Sequence, residues 1–276
     1  MRMDGLEAAG ESVLAAAKLA AAAAYRAPQI TGVLKVQTEI LTGEDLDPVI
    51  EYAETLVPIA PVMGFDCQTL KYFRENHLPA VCLLIAARLD RSELAWDCGA
   101  CGFESCAGFN GYAKESGGSG ALLPGPTCHW KMLDWAAACD YACAAAHQYR
   151  MDARAMATIG AACGAVGYLP ESPARLAVLI GPPGDFIYFS RRQNRETFPY
   201  GQHRLSMLRS APTNWQAFPG GTRPSFKTKQ DWWNNPEFIK WEPLSEEETR
   251  LVEETTARAR QVAMKHAPGI RAWYRK

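Results

Sequence analysis

Residues 80–87 read AVCLLIAA, and after a short polar connection residues 97–128 read DCGACGFESCAGFNGYAKESGGSGALLPGPTC. The first stretch carries no charge and fits a central strand buried on both faces. It delivers the chain directly to the second, which places Cys98, Cys101, Cys106 and Cys128 at C-x2-C-x4-C-x21-C. Gly99, Gly102 and Gly108 let the backbone between them fold tightly and turn its N–H groups toward a sulfide core. The spacing therefore predicts a nest for an iron-sulfur cluster at the end of a strand.

Three metal groups compete for four thiolates. Structural zinc usually takes two C-x2-C knuckles, and only Cys98 with Cys101 makes one. Plant-type [2Fe-2S] sites run C-x4-C-x2-C, the reverse of the order found here. Three close cysteines and one distant one match cubane ligation, so a [4Fe-4S] cluster on Cys98, Cys101, Cys106 and Cys128 is the leading expectation, with zinc and [2Fe-2S] as alternatives. Cys128 stands just before a helix expected from His129, whose positive end favours a thiolate.

Composition narrows the class of protein. Hydrophobic residues make up 48% of the 276, enough for a sizeable core, and Lys+Arg 29 against Asp+Glu 30 gives a net charge of -1. That balance argues against a nucleic-acid partner and for a small molecule or a protein. The alanine-rich start carries Asp4, Glu7, Glu11 and Lys18, unlike a secretory leader, and no uncharged apolar stretch reaches the roughly 18 residues of a membrane span. Nine cysteines, unevenly spread, suit a reducing compartment rather than a disulfide framework. The expectation is a cytoplasmic protein with no membrane attachment of its own.

Working outward, helices are expected over 11–25, 42–57, 129–149 and 152–166, the last with Asp152 as its N-cap and Gly167 as its stop. Strands are expected over 33–41, 175–180 and 186–190. From Arg191 the chain becomes rich in proline, asparagine and aromatics until a charged helix over about 245–265, and five of the eight tryptophans lie in residues 191–276. Such a segment cannot build its own core and is expected to wrap over the main domain or a second subunit. The division predicted is thus 1–190 as core, with the cluster loop at 97–128, and 191–276 as a C-terminal arm.

CGACGFESCAGF followed by GPTC resembles a family of uncharacterised bacterial and archaeal proteins described as containing a ferredoxin domain. The resemblance extends through YRAPQITG, DARAMATIGAACGAVGYL and LAVLIGPPGDFIYFSR, over about residues 10–190. The flanking pieces also resemble the flavin-dependent nitroreductases, with Ala27-Pro28-Gln29 and Ile180-Gly181-Pro182 standing where those enzymes turn. That second resemblance implies an FMN, with Arg26 and Gln29 at its ring or ribityl chain and Arg191 or Arg192 at its phosphate, where a guanidinium group binds in bidentate fashion. The arginine-rich opening and the Asn-x-Gln-Pro-Trp string of those enzymes are absent. Surface ion pairing is the other reading of Arg26, Arg191 and Arg192.

Further residues carry alternatives of their own. Cys139, Cys143 and His147 share a helix face at i, i+4, i+8, as a second metal site would, or as a surface of small side chains admitting another helix. His129, beside Cys128, is a candidate proton donor or a solvent-facing helix start. Together these readings predict an α+β, three-layer α/β/α domain on a nitroreductase-like scaffold, forming a homodimer. Its predicted function is oxidoreduction, with electrons from a redox partner protein passing through the cluster to FMN or directly to a small, aromatic substrate. A non-catalytic ferredoxin-like carrier, or a docking subunit of a larger redox complex, is the alternative.

Overall fold

The computed structural model describes residues 2–116, 125–182 and 246–268. Four strands form one sheet: β1 (Val36–Thr42), β2 (Val81–Ala87), β3 (Asp152–Met156) and β4 (Ala174–Gly181), in the order β1-β2-β4-β3. Every neighbouring pair is antiparallel, with Val36 opposite Ala87, Val81 opposite Ile180 and Asp152 opposite Gly181. All seven residues of β2 are buried, as a strand covered on both faces requires. A parallel sheet usually carries such continuous apolar runs; here an antiparallel sheet carries one because helices cover both of its sides.

Side chains alternate across the strands and build two cores. Val81, Leu83, Ile85, Val178 and Ile180 meet α1 (Gly5–Arg26) and α5 (His129–Gln148), which pack side by side. Cys82, Leu84, Ala177 and Leu179 meet α2 (Asp47–Leu56), α3 (Pro61–Glu75) and α6 (Ala157–Ala165). The architecture is α+β with a three-layer α/β/α arrangement. A further helix, α4 (Cys106–Ser116), lies in the cysteine segment, and α7 (Glu246–His266) packs on α2, burying Thr255, Ala259 and Ala263. Among the described residues no helix is long and apolar enough to cross a membrane.

Helix α1 starts earlier than its alanine run suggests. The Asp4 carboxylate accepts from the N–H groups of Leu6 at 2.9 Å and Glu7 at 3.2 Å, capping a first turn that contains Gly5 and reaches Gly10. A β-carbon at Gly10 would lie 3.0 Å from Pro79 Cγ, so this glycine admits the neighbouring chain rather than breaking the helix. Val13, Ala16, Ala17, Ala20 and Ala24 form its buried stripe. Trp135 of α5 donates from Nε1 to the Ile85 carbonyl at 3.3 Å, fixing α5 against β2.

Two departures from the sequence expectations matter for the site. Residues 152–156 are a strand, so Asp152 is not an N-cap, and the helix begins only at Ala157. Pairing with residues 177–181 of β4 satisfies five residues of backbone and outweighs the helix propensity of Ala, Arg and Met. Helix α3 was not expected; Pro61 occupies its start, where a missing N–H costs nothing. The strand expected over 186–190 and all of residues 183–245 lie outside the described residues.

Candidate metal centre

The site grows from the C-terminal end of β2. Leu89, fully buried, follows this strand, and its carbonyl accepts from the Cys128 N–H at 2.8 Å. That one bond joins the exit of β2 to the last cysteine of the segment. Cys128 is itself the N-cap of α5, with extended backbone (φ -66, ψ 123) and a carbonyl accepting from Met132 N–H at 2.9 Å. Its thiol is therefore buried at the positive end of a 20-residue helix.

Lys131, one turn further, ties the other wall. Its Nζ is buried and donates to the Arg91 carbonyl at 2.8 Å and to Glu93 Oε2 at 3.0 Å, holding residues 91–93 against α5. Next to this anchor, buried Ser92 is gripped by Asn110 of α4. Ser92 N–H donates to Asn110 Oδ1 at 2.7 Å, and Asn110 Nδ2 donates to the Ser92 carbonyl at 2.8 Å. Cys106 begins the same helix, and its N–H donates to Asp97 Oδ1 at 2.7 Å, so a carboxylate serves the free end of α4.

Between these walls the backbone turns sharply. Gly99 and Gly102 adopt left-handed φ of 70° and 84°, and Gly102 N–H donates to the Gly99 carbonyl at 2.9 Å, closing the turn that carries Cys101. Gly108 is different from what its spacing suggested: it lies inside α4, where a β-carbon would meet Ser105 Oγ at 3.3 Å. Ala95 and Asp97 also have positive φ, 51° and 46°, which non-glycine residues seldom adopt.

Cys98, Cys101, Cys106 and Cys128 all line one hollow, shared with Trp96, Phe103, Phe109 and Trp130. Phe109 is fully buried beneath it and meets Phe103 edge-on at 5.7 Å. Trp96 and Trp130 meet edge-on at 6.2 Å, with Trp96 about half exposed (48%). Two thiols receive side-chain hydrogen bonds: Trp130 Nε1 donates to Cys98 Sγ at 3.2 Å, and Ser92 Oγ donates to Cys106 Sγ at 3.5 Å. The Ser92 donation, with help from the backbone of Asp97 and Trp96, holds the Cys106 thiol below its ordinary value. Cys98 is exposed, Cys101 and Cys106 are partly covered, and Cys128 is buried, so the hollow has an outer and an inner side.

The donor chemistry fits an iron-sulfur group: four sulfurs of suitable softness line a hollow shared with aromatics, with N–H and O–H donors on two of them. Among the described residues no three His, Cys, Asp or Glu side chains close on the position of a single metal ion. His129, the first residue of α5, is exposed and stacks edge-on with Trp130 at 5.5 Å.

The residues implied for a flavin lie elsewhere in the chain. Arg26 is exposed in the last turn of α1. Gln29 gives both ends of its amide to one residue: Nε2 donates to the Leu34 carbonyl and Oε1 accepts from the Leu34 N–H, each at 3.0 Å. The loop so closed is tied to α5 by buried Asp134, which accepts from Ile30 N–H at 2.6 Å, from Thr31 N–H at 3.0 Å and from the Thr31 hydroxyl. Arg191 and Arg192 lie outside the described residues. Cys139 and Cys143 pack in the core between α1, α5 and the sheet, where burial pushes their thiols up to about 12 and about 11, while His147 is exposed. A neutral, buried thiol is packing material rather than a metal ligand.

The residues missing from the sequence reading are Ser92, Asn110, Asp97 and Lys131. Nothing in RSEL marks Ser92 or the neighbouring Arg91 carbonyl as partners of helices that begin much further on. Asn110, a weak helix former inside FNGY, was the one available signal that a side chain there is spent on a specific bond.

Four thiols lining one hollow make this a candidate metal centre, and comparisons with known proteins bear on part of it. Residues 124–191 match the family described as uncharacterized proteins containing a ferredoxin domain, domain of unknown function 2148. The matched stretch takes in Cys128 and runs through α5, β3, α6 and β4, while Cys98, Cys101 and Cys106 precede it. An uncharacterized protein of Archaeoglobus fulgidus is 28% identical over 181 residues, covering 66% of this chain and 92% of the relative. Among solved structures, a BluB-like flavoprotein from Clostridium difficile 630 is 16% identical, with a TM-score of 0.33, over 67% of this chain and 83% of that one.

Proposed function

We propose that the chain is an iron-sulfur oxidoreductase in which Cys98, Cys101, Cys106 and Cys128 hold a [4Fe-4S] cluster. The observation that carries this reading is that Cys128, distant in sequence, shares one hollow with the other three, through the Leu89–Cys128 bond and the start of α5. The ferredoxin-domain description of the matching family supports an iron-sulfur electron-transfer role. Bound there, a cluster supplies one electron at a time.

The chain's own residues set the conditions for that transfer. Phe109 and Cys128 keep water from the inner side, and Trp130 and Ser92 place donors on two sulfurs. On the outer side, Cys98 with Trp96 offers the shortest way out to a redox partner. An FMN contacted by Arg26, Gln29, Arg191 and Arg192 is the acceptor that the nitroreductase resemblance implies, passing two electrons to a small substrate. The exposure of Cys98 equally favours the second reading, a carrier or docking subunit that hands its electron to another protein. A homodimer in the cytoplasm completes the proposal.

Anaerobic purification tests it. Iron and acid-labile sulfide near four each per chain, with broad absorption near 400 nm, are expected of a [4Fe-4S] protein. Cys101→Ser lowers that iron, whereas Cys163→Ser, fully buried in the other core, leaves it unchanged. Equal iron in the two variants refutes the ligand assignment. Released flavin, measured after acid precipitation, separates the flavoprotein from the carrier.

A further inference from the structure

The two side-chain donors on the sulfurs are not equivalent in how they are held. Ser92 is 5% exposed, and all of its polar groups are spoken for. Its N–H and carbonyl are both taken by the Asn110 side chain, at 2.7 and 2.8 Å. Its Oγ accepts from the Leu94 N–H at 3.4 Å, which directs the hydroxyl proton toward Cys106 Sγ, 3.5 Å away. Asn110 stands one helical turn beyond Cys106 on α4, so donor and acceptor are fixed to the same rigid element. Trp130 is placed instead by the first turn of α5, two residues after Cys128, and its indole N–H reaches the exposed thiol, Cys98.

Each donor therefore serves a ligand from the opposite wall. Ser92 from the β2 exit serves Cys106, and Trp130 from α5 serves Cys98. Hydrogen bonds to ligand sulfur stabilise the more negative oxidation state more than the less negative one, because the donor dipole acts on the added charge. We infer that Ser92 and Trp130 are positioning residues that raise the reduction potential of the proposed cluster, and that Asn110 acts through Ser92. This rests on the ligand assignment proposed above. The step concerned is a one-electron reduction: one electron enters from an external donor, dithionite in the test, the charge of the site falls by one, and no bond or proton is exchanged.

The experiment is a mediated redox titration of the full chain, followed by absorbance and by electron paramagnetic resonance, with iron measured on the same samples. Ser92→Ala removes the hydroxyl and is expected to shift the midpoint downward, on the order of tenfold in the reduced-to-oxidised ratio at fixed potential, or 59 mV for one electron. Ser92→Thr keeps the hydroxyl and stays near wild type. Trp130→Phe keeps the ring, loses the N–H and shifts downward as well. It carries the test if Ser92→Ala fails to load iron.

Iron-loaded Ser92→Ala or Trp130→Phe at the wild-type potential overturns the inference while leaving the ligand assignment standing. A Ser92→Thr shift as large as that of Ser92→Ala also overturns it, since packing rather than the hydroxyl would then be responsible. A wild-type chain that binds no iron removes both readings together.

Discussion

Replacing Gly160 with alanine tests how closely α6 is laid on the sheet. In an exposed helix interior the change would stabilise by roughly 0.5–1 kcal/mol, because alanine loses less backbone freedom on folding. Here the new β-carbon would stand 2.5 Å from the Arg175 carbonyl oxygen, 2.7 Å from Leu176 Cα and 2.8 Å from the Arg175 carbonyl carbon. Carbon atoms prefer about 3.5–4.0 Å, so the helix must withdraw by roughly 1 Å. All three obstacles are backbone of β4, a strand hydrogen-bonded on both sides, and none can swing away.

A gap of that size forfeits about a quarter to a half of each lost contact, and α6 sets Ile159, Ala162 and Cys163 against the strands. Overpacking of this kind typically costs about 1–3 kcal/mol, which exceeds the propensity gain. For a chain of this size the thermal midpoint is expected to fall by roughly 2–8 °C. Gly111→Ala in α4 is the control: nothing stands within 4 Å of its β-carbon, and the midpoint should hold or rise. Differential scanning calorimetry or urea unfolding reads both. A Gly160→Ala midpoint at or above wild type would refute the close-approach account.

Two further outcomes follow from the charges and thiols. In the full chain stripped of metal, Cys98, Cys101 and Cys106 should alkylate first at pH 8, while Cys67, Cys139 and Cys143, with thiols raised by burial to about 12, about 12 and about 11, stay unlabelled until the chain unfolds. Mass spectrometry of labelled peptides checks the order, and Cys139 reacting as fast as Cys98 would contradict it. Glu51 accepts from His266 at 2.6 Å and from Lys265 at 2.9 Å, bonds that lower its carboxyl below the ordinary value. A folded value below the unfolded one means stability that is present above about pH 4.3 and lost as the pH falls through the folded value. Because the pair is substantially exposed, Glu51→Gln should cost under about 1 kcal/mol at pH 7 and progressively less as the pH falls through the folded value; a cost that does not decline with acidification would sink this role.

How far the fold could be read depended on whether local pattern and tertiary demand agreed. AVCLLIAA gave β2 to within a residue because a run buried on both faces has no competing reading at that length. Helix α5 was equally plain, with Cys128 before it and Tyr149 after. Residues 152–156 misled because a capping residue followed by Ala, Arg and Met is a good helix start, and only the free edge of β4, supplied by residues far along the chain, makes them a strand. Helix α3 went unassigned, although Pro61 at its start is a position where proline is permitted. Spacing alone singled out the four cysteines that line the hollow, whereas Ser92, Asn110, Asp97 and Lys131 around them use single bonds across the chain that leave no periodic trace.

The bond from Cys128 N–H to the Leu89 carbonyl has a consequence for how such a chain can vary. It pinches the backbone into a neck at the exit of β2, so everything between the two residues leaves and rejoins the scaffold at adjacent points. Loop-closure entropy grows only slowly with length, so changes in the length of that excursion are expected to cost the scaffold little. The cysteine segment thus behaves as a cassette seated on a permanent socket, with one of its four sulfurs belonging to the socket itself.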